Sequence, residues 1–318
     1  MPTYLPDPAP YPYGAVGRRR SYHYQNNLMT RILLTGKTGQ VGYELERSLQ
    51  GLGEIIAVDR SQMDLADLDQ VRDVIRRIKP TLIVNPAAYT AVDKAESEVE
   101  LAMRINGEAP GLMAEEARKL GAAMIHYSTD YVFDGTKETP YTEDDPTCPI
   151  NVYGRSKLAG EQAIAATGIA HLILRTSWVY SMHGKNFLLT MRRLAQERDT
   201  LSIVSDQHGA PTWSRTIADT TAHIIAQSLV AQDPHAWLQQ RAGIYNLSAQ
   251  GQTTWFGFTE AIMAHASIEK KPLLKAILAQ DYPVPAKRPV NSVLSSQHLI
   301  DTFCNLPQWE EALRLCQG

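Results

Sequence analysis

The sequence RILLTGKTGQVG, residues 31–42, decides the fold. It begins with a short apolar run of the kind that forms a buried strand. Three glycines, Gly36, Gly39 and Gly42, then lead into an amphipathic stretch that reaches residue 52. A strand, a glycine turn and a helix in this order bring the backbone close to a pyrophosphate at the helix N-terminus. No G-K-S/T ends the turn, so it is not a Walker loop. The stretch predicts an α/β fold, a Rossmann-like doubly wound parallel sheet that binds a dinucleotide.

The next two strands carry further cofactor signals. Residues 54–59 predict a strand ending in Asp59, 20 positions after Gly39, about where a carboxylate binds the adenosine ribose. Adjacent Arg60 could instead accommodate a 2′-phosphate, so NADPH is expected and NADH also fits. The strand at residues 81–85 is followed by PAAYT, residues 86–90. Its small residues let a flat cofactor lie against the backbone.

The sequence NVYGRSK, residues 151–157, predicts the first turns of a helix. Tyr153 and Lys157 lie four positions apart, which places both on one face with Cβ atoms about 6 Å apart. A fixed positive charge lowers the pKa of a phenol from its usual value of about 10. Such a pair can give a proton to a carbonyl oxygen as hydride reaches the carbon. Alone the pair is weak evidence, because surface helices carry it by chance.

A strand over residues 121–129 supplies a third group. Alternation places Tyr127 and Thr129 on one side of this strand and Ser128 on the other. Thr129 is therefore the hydroxyl predicted to hold a carbonyl for Tyr153. The preceding segment, residues 97–120, has one long helical pattern, and we expect its internal Asn106 to be exposed. A smaller C-terminal substrate lobe follows, with a sugar- or base-stacking candidate in Trp178.

Composition excludes several classes of protein. The 318 residues are 44% hydrophobic with a net charge of −3, which predicts a soluble protein with no basic footprint for nucleic acid. No apolar run reaches the roughly 20 residues that a membrane span needs. Three widely spaced cysteines indicate reduced thiols in the cytoplasm. The nine histidines show no metal-binding spacing, so no metal is expected. The predicted divisions are a disordered extension (1–28), a nucleotide-binding domain (29–175, with later segments returning to it) and a substrate-binding lobe (176–318).

Several strings together resemble a known family. They are GKTGQVG at 36–42, AVDKAE at 91–96, HYSTDYVF at 126–133, NVYGRSKLAGE at 151–161, RTSWVY at 175–180 and RPVNS at 288–292. In this order the chain resembles the extended short-chain dehydrogenases/reductases and, within them, the dTDP-4-dehydrorhamnose reductase family. The resemblance runs from about residue 29 almost to the C-terminus. It implies NAD(P)H-dependent reduction of the C4 keto group of dTDP-4-dehydro-β-L-rhamnose, which gives dTDP-β-L-rhamnose for cell-surface polysaccharide.

The resemblance also implies roles for single residues. Tyr153 would donate the proton, while Lys157 would hold the nicotinamide ribose and lower the pKa of the tyrosine. Thr129 would bind the sugar carbonyl, with Asp130 and Trp178 also at the substrate. With the glycine turn included, the predicted cofactor-binding residues are Gly36, Gly39, Gln40, Val41, Asp59, Asp64, Leu65, Ala88, Tyr89, Thr90, Tyr127, Tyr153 and Lys157.

The chain departs from the family at two places. Pro86 stands where the family usually has alanine and removes an amide donor near the cofactor, which predicts a small local effect. Some members form a magnesium-dependent dimer through acidic residues. Glu44 fits one such position, but residues 213–215 are basic in character, so Mg²⁺ is not expected, while a homodimer stays an option. Arg288 could clamp a diphosphate or be a solvated surface charge, and both interpretations stay open.

Two other functions fit parts of the pattern. A 4-epimerase or 4,6-dehydratase of the same superfamily would retain its nicotinamide, but dehydratases typically have Asp-Glu after the threonine, where this chain has Asp130 and Tyr131. A non-catalytic subunit resembling the beta subunit of methionine adenosyltransferase would share the string VFDGT, residues 132–136. Such subunits can keep the Thr, Tyr and Lys set.

Overall fold

The computed structural model describes residues 30–266 and 271–318, so the extension predicted at residues 1–28 lies outside the described residues. The strands are β1 (Arg31–Leu34), β2 (Glu54–Ala57), β3 (Leu82–Asn85), β4 (Ala123–Thr129), β5 (His171–Thr176), β6 (Val179–Tyr180), β7 (Thr200–Val204), β8 (His208–Gly209), β9 (Thr212–Trp213), β10 (Gly243–Asn246), β11 (Thr253–Thr254) and β12 (Leu273–Ile277). The helices are α1 (Gln40–Ser48), α2 (Leu68–Ile78), α3 (Val92–Ala95), α4 (Val99–Met103), α5 (Ala109–Leu120), α6 (Val152–Ala166), α7 (Phe187–Glu197), α8 (Ser214–Leu229), α9 (Pro234–Gln240), α10 (Trp255–His265), α11 (Gln297–Thr302) and α12 (Trp309–Gln317).

A six-stranded sheet with the order β10-β5-β4-β3-β1-β2 forms the centre of the molecule. Every pair of neighbouring strands in it is parallel. Separate apolar clusters, containing Leu34 on one face and Leu33 on the other, cover the two sides. The direction of winding reverses between β1 and β3, and ligands of such sheets bind outside the carboxyl ends of the strands at that point. The sheet confirms the predicted Rossmann-like α/β fold.

Helix α6 is held tightly against its neighbours. Its N-cap, Asn151, accepts a hydrogen bond from the Gly154 amide at 2.7 Å, as short polar caps do. A Cβ on Gly154 would lie 2.1 Å from the Tyr131 carbonyl oxygen, and one on Gly160 would lie 2.2 Å from that of Asn106. Only glycine allows these approaches, so the two glycines let α6 pack directly against the backbone at Tyr131 and Asn106.

The predicted long helix over residues 97–120 is interrupted by one π-helical segment, Arg104–Glu108, between α4 and α5. Asn106 lies in this segment and is 1% exposed, so the expectation that it faces solvent is wrong. Its side chain accepts from the Tyr89 amide at 2.8 Å and donates to the Tyr89 carbonyl at 3.0 Å and to Ser156 at 2.9 Å. Asn106 thus ties the loop after β3 to α6, and π-turns often occur at functional sites.

The later half of the chain contributes to two cores. Strand β10 joins the central sheet, and Ile217 and Ile224 of α8 join one of its apolar clusters. Helices α7, α10 and α12 enclose a separate core that contains Leu188, Phe258 and Leu313. Within the described ranges, no helix is long and apolar enough to cross a membrane.

Candidate active site

A groove of about 580 Å³ runs along the carboxyl ends of β1, β3 and β4. It brings the glycine turn and the start of α6 to one place. The predicted residues that line it are Gly36, Gly39, Gln40, Val41, Asp64, Leu65, Ala88, Tyr89, Thr90, Tyr127, Tyr153 and Lys157. Pro86, which has no amide hydrogen to donate, also lines the groove.

The shape and polarity of the groove suit a dinucleotide. A Cβ on Gly42 would lie 2.1 Å from the Gly36 carbonyl oxygen, so only glycine lets the turn pack this closely on the start of α1. The N-terminus of a helix favours a bound phosphate. Two other lining residues, Ser128 and Thr176, have buried hydroxyl oxygens without a hydrogen-bond partner in the described part of the chain. Buried polar atoms are normally paired, so these hydroxyls fit a polar group of a bound ligand.

Asp59 does not line this groove, although Arg60 beside it does. Its carboxylate accepts from the Ser61 amide at 2.9 Å and the Ser61 hydroxyl at 2.6 Å, and Lys37 lies 3.6 Å away. The hydrogen bonds from Ser61 keep the pKa of Asp59 below its usual value, so the group is ionised at neutral pH. This edge of the groove therefore has two carboxylates, because Asp64 also lines it and lies 3.1 Å from Arg60, and two cations, Lys37 and Arg60.

Lys157 is almost completely buried beneath the groove, with 2% of its surface exposed. Its Nζ donates to the Tyr127 carbonyl at 2.6 Å and lies 3.2 Å from Nε2 of His126. Burial lowers the pKa of Lys157 to about 8, and the negative charge of Glu161 opposes that change. The amine is therefore mainly protonated at neutral pH.

Tyr153 has a pKa above that of free tyrosine, so the expectation of a lowered value is wrong in this structure. Burial raises the pKa to about 12, the negative charge of Asp130 adds to the rise, and a hydrogen bond with Thr129 opposes it. At neutral pH Tyr153 therefore holds its proton, which suits a proton donor.

Thr129 and Asp130 lie together beside Tyr153 at the exit of β4. The Thr129 hydroxyl donates to Asp130 Oδ1 at 2.8 Å, and Ser177 donates to Oδ2 at 3.1 Å. Burial raises the pKa of Asp130 to about 6 despite the hydrogen bonds from Thr129, Ser292 and Ser177. The structure thus brings together the predicted hydroxyl, carboxyl and phenol.

Two predicted cofactor residues use their side chains elsewhere. The Tyr127 hydroxyl contacts Thr221 of α8 at 2.8 Å inside the core, so it does not share a cleft with the hydroxyl of Thr129, and only its backbone meets Lys157. The Gln40 side chain binds the loop after β6: it accepts from Ser181 at 3.1 Å and from Asn186 at 2.8 Å. Gln40 therefore joins the glycine turn to the later half of the chain.

Trp178 lies outside this groove, in a strained backbone conformation with φ at 46°. Its ring stacks on Trp255 with centroids 3.5 Å apart and planes inclined by 5°. A Cβ on Gly209 would lie 2.3 Å from the Trp178 indole, so this glycine leaves room for the stack. Trp255 also lines a second cavity of about 850 Å³, together with Phe187 and Tyr282.

Arg288 lines the second cavity and is already paired. It donates to Asp93 Oδ2 at 2.9 Å and to the Ala286 carbonyl at 2.9 Å. Asp93 Oδ1 also accepts from the Ala286 amide at 3.1 Å, and Asn151 donates to the Lys287 carbonyl at 2.9 Å. These bonds tie residues 286–288 to α3 and to the start of α6.

No group of three or more His, Cys, Asp or Glu residues among those the structure describes could hold a metal ion. Arg215, near which acidic residues would be needed for a magnesium link, lies 3.8 Å from Asp219. The expectations on Mg²⁺ and on a homodimer remain predictions.

The parallel sheet, the glycine turn and the Tyr153–Lys157 pair define an oxidoreductase of the extended short-chain dehydrogenase/reductase class. Residues 29–317 match the RmlD substrate binding domain family. The dTDP-4-dehydrorhamnose reductase of Burkholderia thailandensis is 48% identical over 293 residues, which cover 90% of this chain and 97% of that protein. The Escherichia coli K12 protein of the same name is 45% identical, with 89% and 95% covered.

A solved structure shows the same likeness in three dimensions. The dTDP-4-dehydrorhamnose reductase of Bacillus anthracis, in complex with NADP, superposes with a TM-score of 0.82 at 34% identity. The match covers 91% of this chain and 99% of that chain. The chain belongs to the dTDP-4-dehydrorhamnose reductase family.

Proposed function

We propose that this protein reduces the C4 keto group of dTDP-4-dehydro-β-L-rhamnose with NADPH, giving dTDP-β-L-rhamnose, a cell-surface polysaccharide precursor. The observation that carries the proposal is the shared groove: Tyr153 and Lys157 line the same surface as the glycine turn. Family membership and the similarity to named reductases over nearly the whole chain support the substrate. NADPH is the proposed cofactor and NADH a second one, because both Arg60 and Asp59 lie at the adenosine end.

The residues divide the chemistry between them. A bound reduced nicotinamide supplies hydride to C4 of the sugar. Tyr153, kept protonated by its raised pKa, donates its hydroxyl proton to O4, where alkoxide charge develops. Thr129 would turn its one O–H from Asp130 to the same oxygen, and the Lys157 ammonium would stabilise the phenolate that forms on Tyr153. The products are a C4 alcohol, an oxidised nicotinamide and a tyrosinate that regains its proton from solvent.

The second cavity is proposed to hold the deoxythymidine diphosphate. Phe187, Trp255 and Tyr282 offer flat faces for the base. Lys287 and Arg288 place positive charge for the diphosphate on the same wall. Two hydrogen bonds join the wall of this cavity to neighbouring helices. Asp93 of α3 accepts from the Ala286 amide, and Asn151, the N-cap of α6, donates to the Lys287 carbonyl.

The other two functions receive less support. A dehydratase typically has Asp-Glu after the threonine, and here the second of these positions is Tyr131. Its ring packs edge-on against Tyr153 with centroids 5.8 Å apart. The intact set of Thr129, Tyr153 and Lys157 gives a non-catalytic subunit no specific support, although such subunits can keep the set. Stoichiometric NADPH consumption with a keto sugar separates reduction from both alternatives.

The decisive experiment replaces Tyr153 with Phe. Turnover of the dTDP-4-keto sugar should fall by about 100-fold or more, the usual contribution of a positioned general acid. NADPH affinity should change by less than about threefold, since the variant leaves Lys157 and the glycine turn in place. Absorbance at the NADPH band reports turnover, and fluorescence titration reports binding. Normal turnover in the Phe variant would show that another group donates the proton.

A further inference from the structure

The ammonium of Lys157 rests on a buried chain of polar side chains that the proposed reaction does not use. Nε2 of His126 lies 3.2 Å from Lys157 Nζ, and Nδ1 of the same ring lies 3.0 Å from the Asn85 amide group. That amide contacts the Thr35 hydroxyl at 2.6 Å. His126, Asn85 and Thr35 are at most 1% exposed. Buried polar side chains are normally hydrogen-bonded, because an unpaired one destabilises the fold.

Three adjacent strands build the chain, so its geometry is fixed by the sheet. Asn85 ends β3 and pairs directly with His126 of β4. Thr35 follows β1, the next strand on the other side of β3, and its hydroxyl accepts from the Ala87 amide at 3.3 Å. Side chains held on paired strands are more rigid than side chains on loops. The imidazole of His126 therefore has one position available beneath α6.

A count of donors shows what this position does for Lys157. An ammonium has three N–H donors. One binds the Tyr127 carbonyl at 2.6 Å, and Nε2 of His126 can accept a second. The third donor is then left for the groove that Lys157 lines. Without a partner at Nε2, a second buried N–H would be unpaired and the amine would shift to satisfy it.

We propose that His126 is a positioning residue that fixes the amine of Lys157, with one N–H toward the ribose of the bound cofactor. The identity of that ligand rests on the proposed function. The contact also requires a defined tautomer: beside an ammonium, Nε2 accepts and Nδ1 carries the ring proton. In the structure Asn85 Nδ2 faces Nδ1 and Asn85 Oδ1 accepts from Thr35. This tautomer therefore requires the amide to turn its oxygen to Nδ1 and its NH2 group to the Thr35 hydroxyl, which then accepts.

Other titratable groups lie around this pair. Glu161 of the same helix opposes the fall in the pKa of Lys157, and Arg175 of β5 binds Glu161 at 2.7 and 3.0 Å. Tyr153, whose pKa is raised by the charge of Asp130, lines the same groove as Lys157. Burial and the nearby Lys157 charge lower the pKa of His126 well below its usual value, so the ring stays neutral. Loss of an accepting atom should therefore destabilise the ammonium and move its titration to lower pH.

Two matched substitutions test the proposal by NADPH binding alone. His126→Gln places a polar atom near Nε2 and keeps a partner for Lys157, whereas His126→Asn places one near Nδ1 and keeps only the contact with Asn85. NADPH affinity, measured by fluorescence titration, should fall about tenfold in the Asn variant and by less than about threefold in the Gln variant. The alkaline limb of NADPH binding should move to lower pH in the Asn variant only. Equal losses in both variants, or the reverse order, would overturn the proposal.

A double-mutant cycle and an NMR titration distinguish a positioning role of His126 from a purely structural one. In a Lys157→Ala background, His126→Asn should weaken NADPH no further, because the two residues act as a unit. Fully additive losses would assign His126 a structural role only. In the wild-type protein the ¹⁵N shift of Nε2 should change as Lys157 titrates near pH 8, and a constant shift would contradict the contact. If NADPH binds as described but no keto sugar is reduced, the proposed function fails while this inference stands.

Discussion

The buried environment of Asp130 disfavours the ionised form of its carboxyl group. Its folded pKa of about 6 lies above the ordinary value of 3.8, because burial outweighs three hydroxyl hydrogen bonds. The folded state therefore binds protons more tightly than the unfolded state between these values. Stability that is present at low pH is lost as the pH rises through 6, and ionised Asp130 costs about 3 kcal/mol at pH 8 by linkage.

Replacing Asp130 with Asn should reveal that cost. Asn does not titrate. The free energy of unfolding of the variant, relative to that of wild type, should therefore rise by about 1.4 kcal/mol between pH 5 and pH 8. Urea unfolding of both proteins at the two pH values measures the difference. Asp134→Asn is the matched control: hydrogen bonds from Thr136 lower the pKa of Asp134, so its effect should be the same at both pH values. A wild-type-relative stability of the Asp130 variant that did not change with pH would contradict the assignment.

Single residues show where sequence reasoning reaches its limit. The spacing of Tyr153 and Lys157 was readable because a helix fixes neighbours four positions apart. The partners of Lys157 were not, since His126 lies 31 positions away and Asn85 a further 41. The predicted direction of the Tyr153 pKa shift was wrong for the same reason. The shift depends on burial and on the nearby charge of Asp130, and both are set by the fold.

Strands and helices could be predicted from the sequence where the local sequence pattern was complete. Strand β1, the glycine turn and α1 were predicted from adjacent residues, and Asn151 marks the start of α6. The π-helical segment was not predicted, because Asn106 satisfies the backbone of Tyr89, 17 positions away. A polar residue at an inward position of an amphipathic pattern is the one sequence signal that could have indicated it.

The elements around Trp178 predict an effect on sugar binding. Gly209→Ala in β8 would place a Cβ 2.3 Å from the Trp178 ring, so the ring must move off Trp255. Overpacking of this kind costs about 1–3 kcal/mol of stability. The KM for the sugar nucleotide should rise about tenfold, equivalent to about 1.4 kcal/mol, while NADPH affinity stays unchanged because Trp178 does not line that groove.

The matched control for this prediction is Gly111→Ala. Its Cβ would meet Ala163 at 2.9 Å where α5 packs on the far half of α6. Stability should fall in this variant as well, but the sugar KM should stay at the wild-type value. A wild-type KM in the Gly209 variant would show that the Trp178–Trp255 stack has no part in substrate binding.

At the scale of the molecule, the two cavities are lined by different residues. The cofactor groove uses residues from the sheet and α6, whereas the larger cavity is lined mainly by residues after 186. The sequence predicted a two-part arrangement with later segments returning to the first part, but it did not show that β10 is such a segment or that Asp93 holds residues 286–288. Such contacts join positions up to 195 residues apart, so only the fold brings them together.

Asp93 should therefore control how well the larger cavity holds its ligand. Asp93→Ala removes the acceptor of both the Ala286 amide and Arg288. Asp93→Asn keeps an oxygen for the amide but replaces the oxygen that accepts from Arg288 with an NH2 donor, so it loses the charge and that hydrogen bond. The Asp93–Arg288 pair is partly exposed, with 41% and 20% of the side chains accessible, so its charge should contribute less than about 1 kcal/mol. We expect the sugar-nucleotide KM to rise about tenfold in the Ala variant and less than about threefold in the Asn variant. Steady-state kinetics measure both values, and NADPH affinity should match wild type throughout, because Asp93 lies outside the cofactor groove. Equal KM values in the two variants would mean that the amide of Ala286 is not the anchor of this segment.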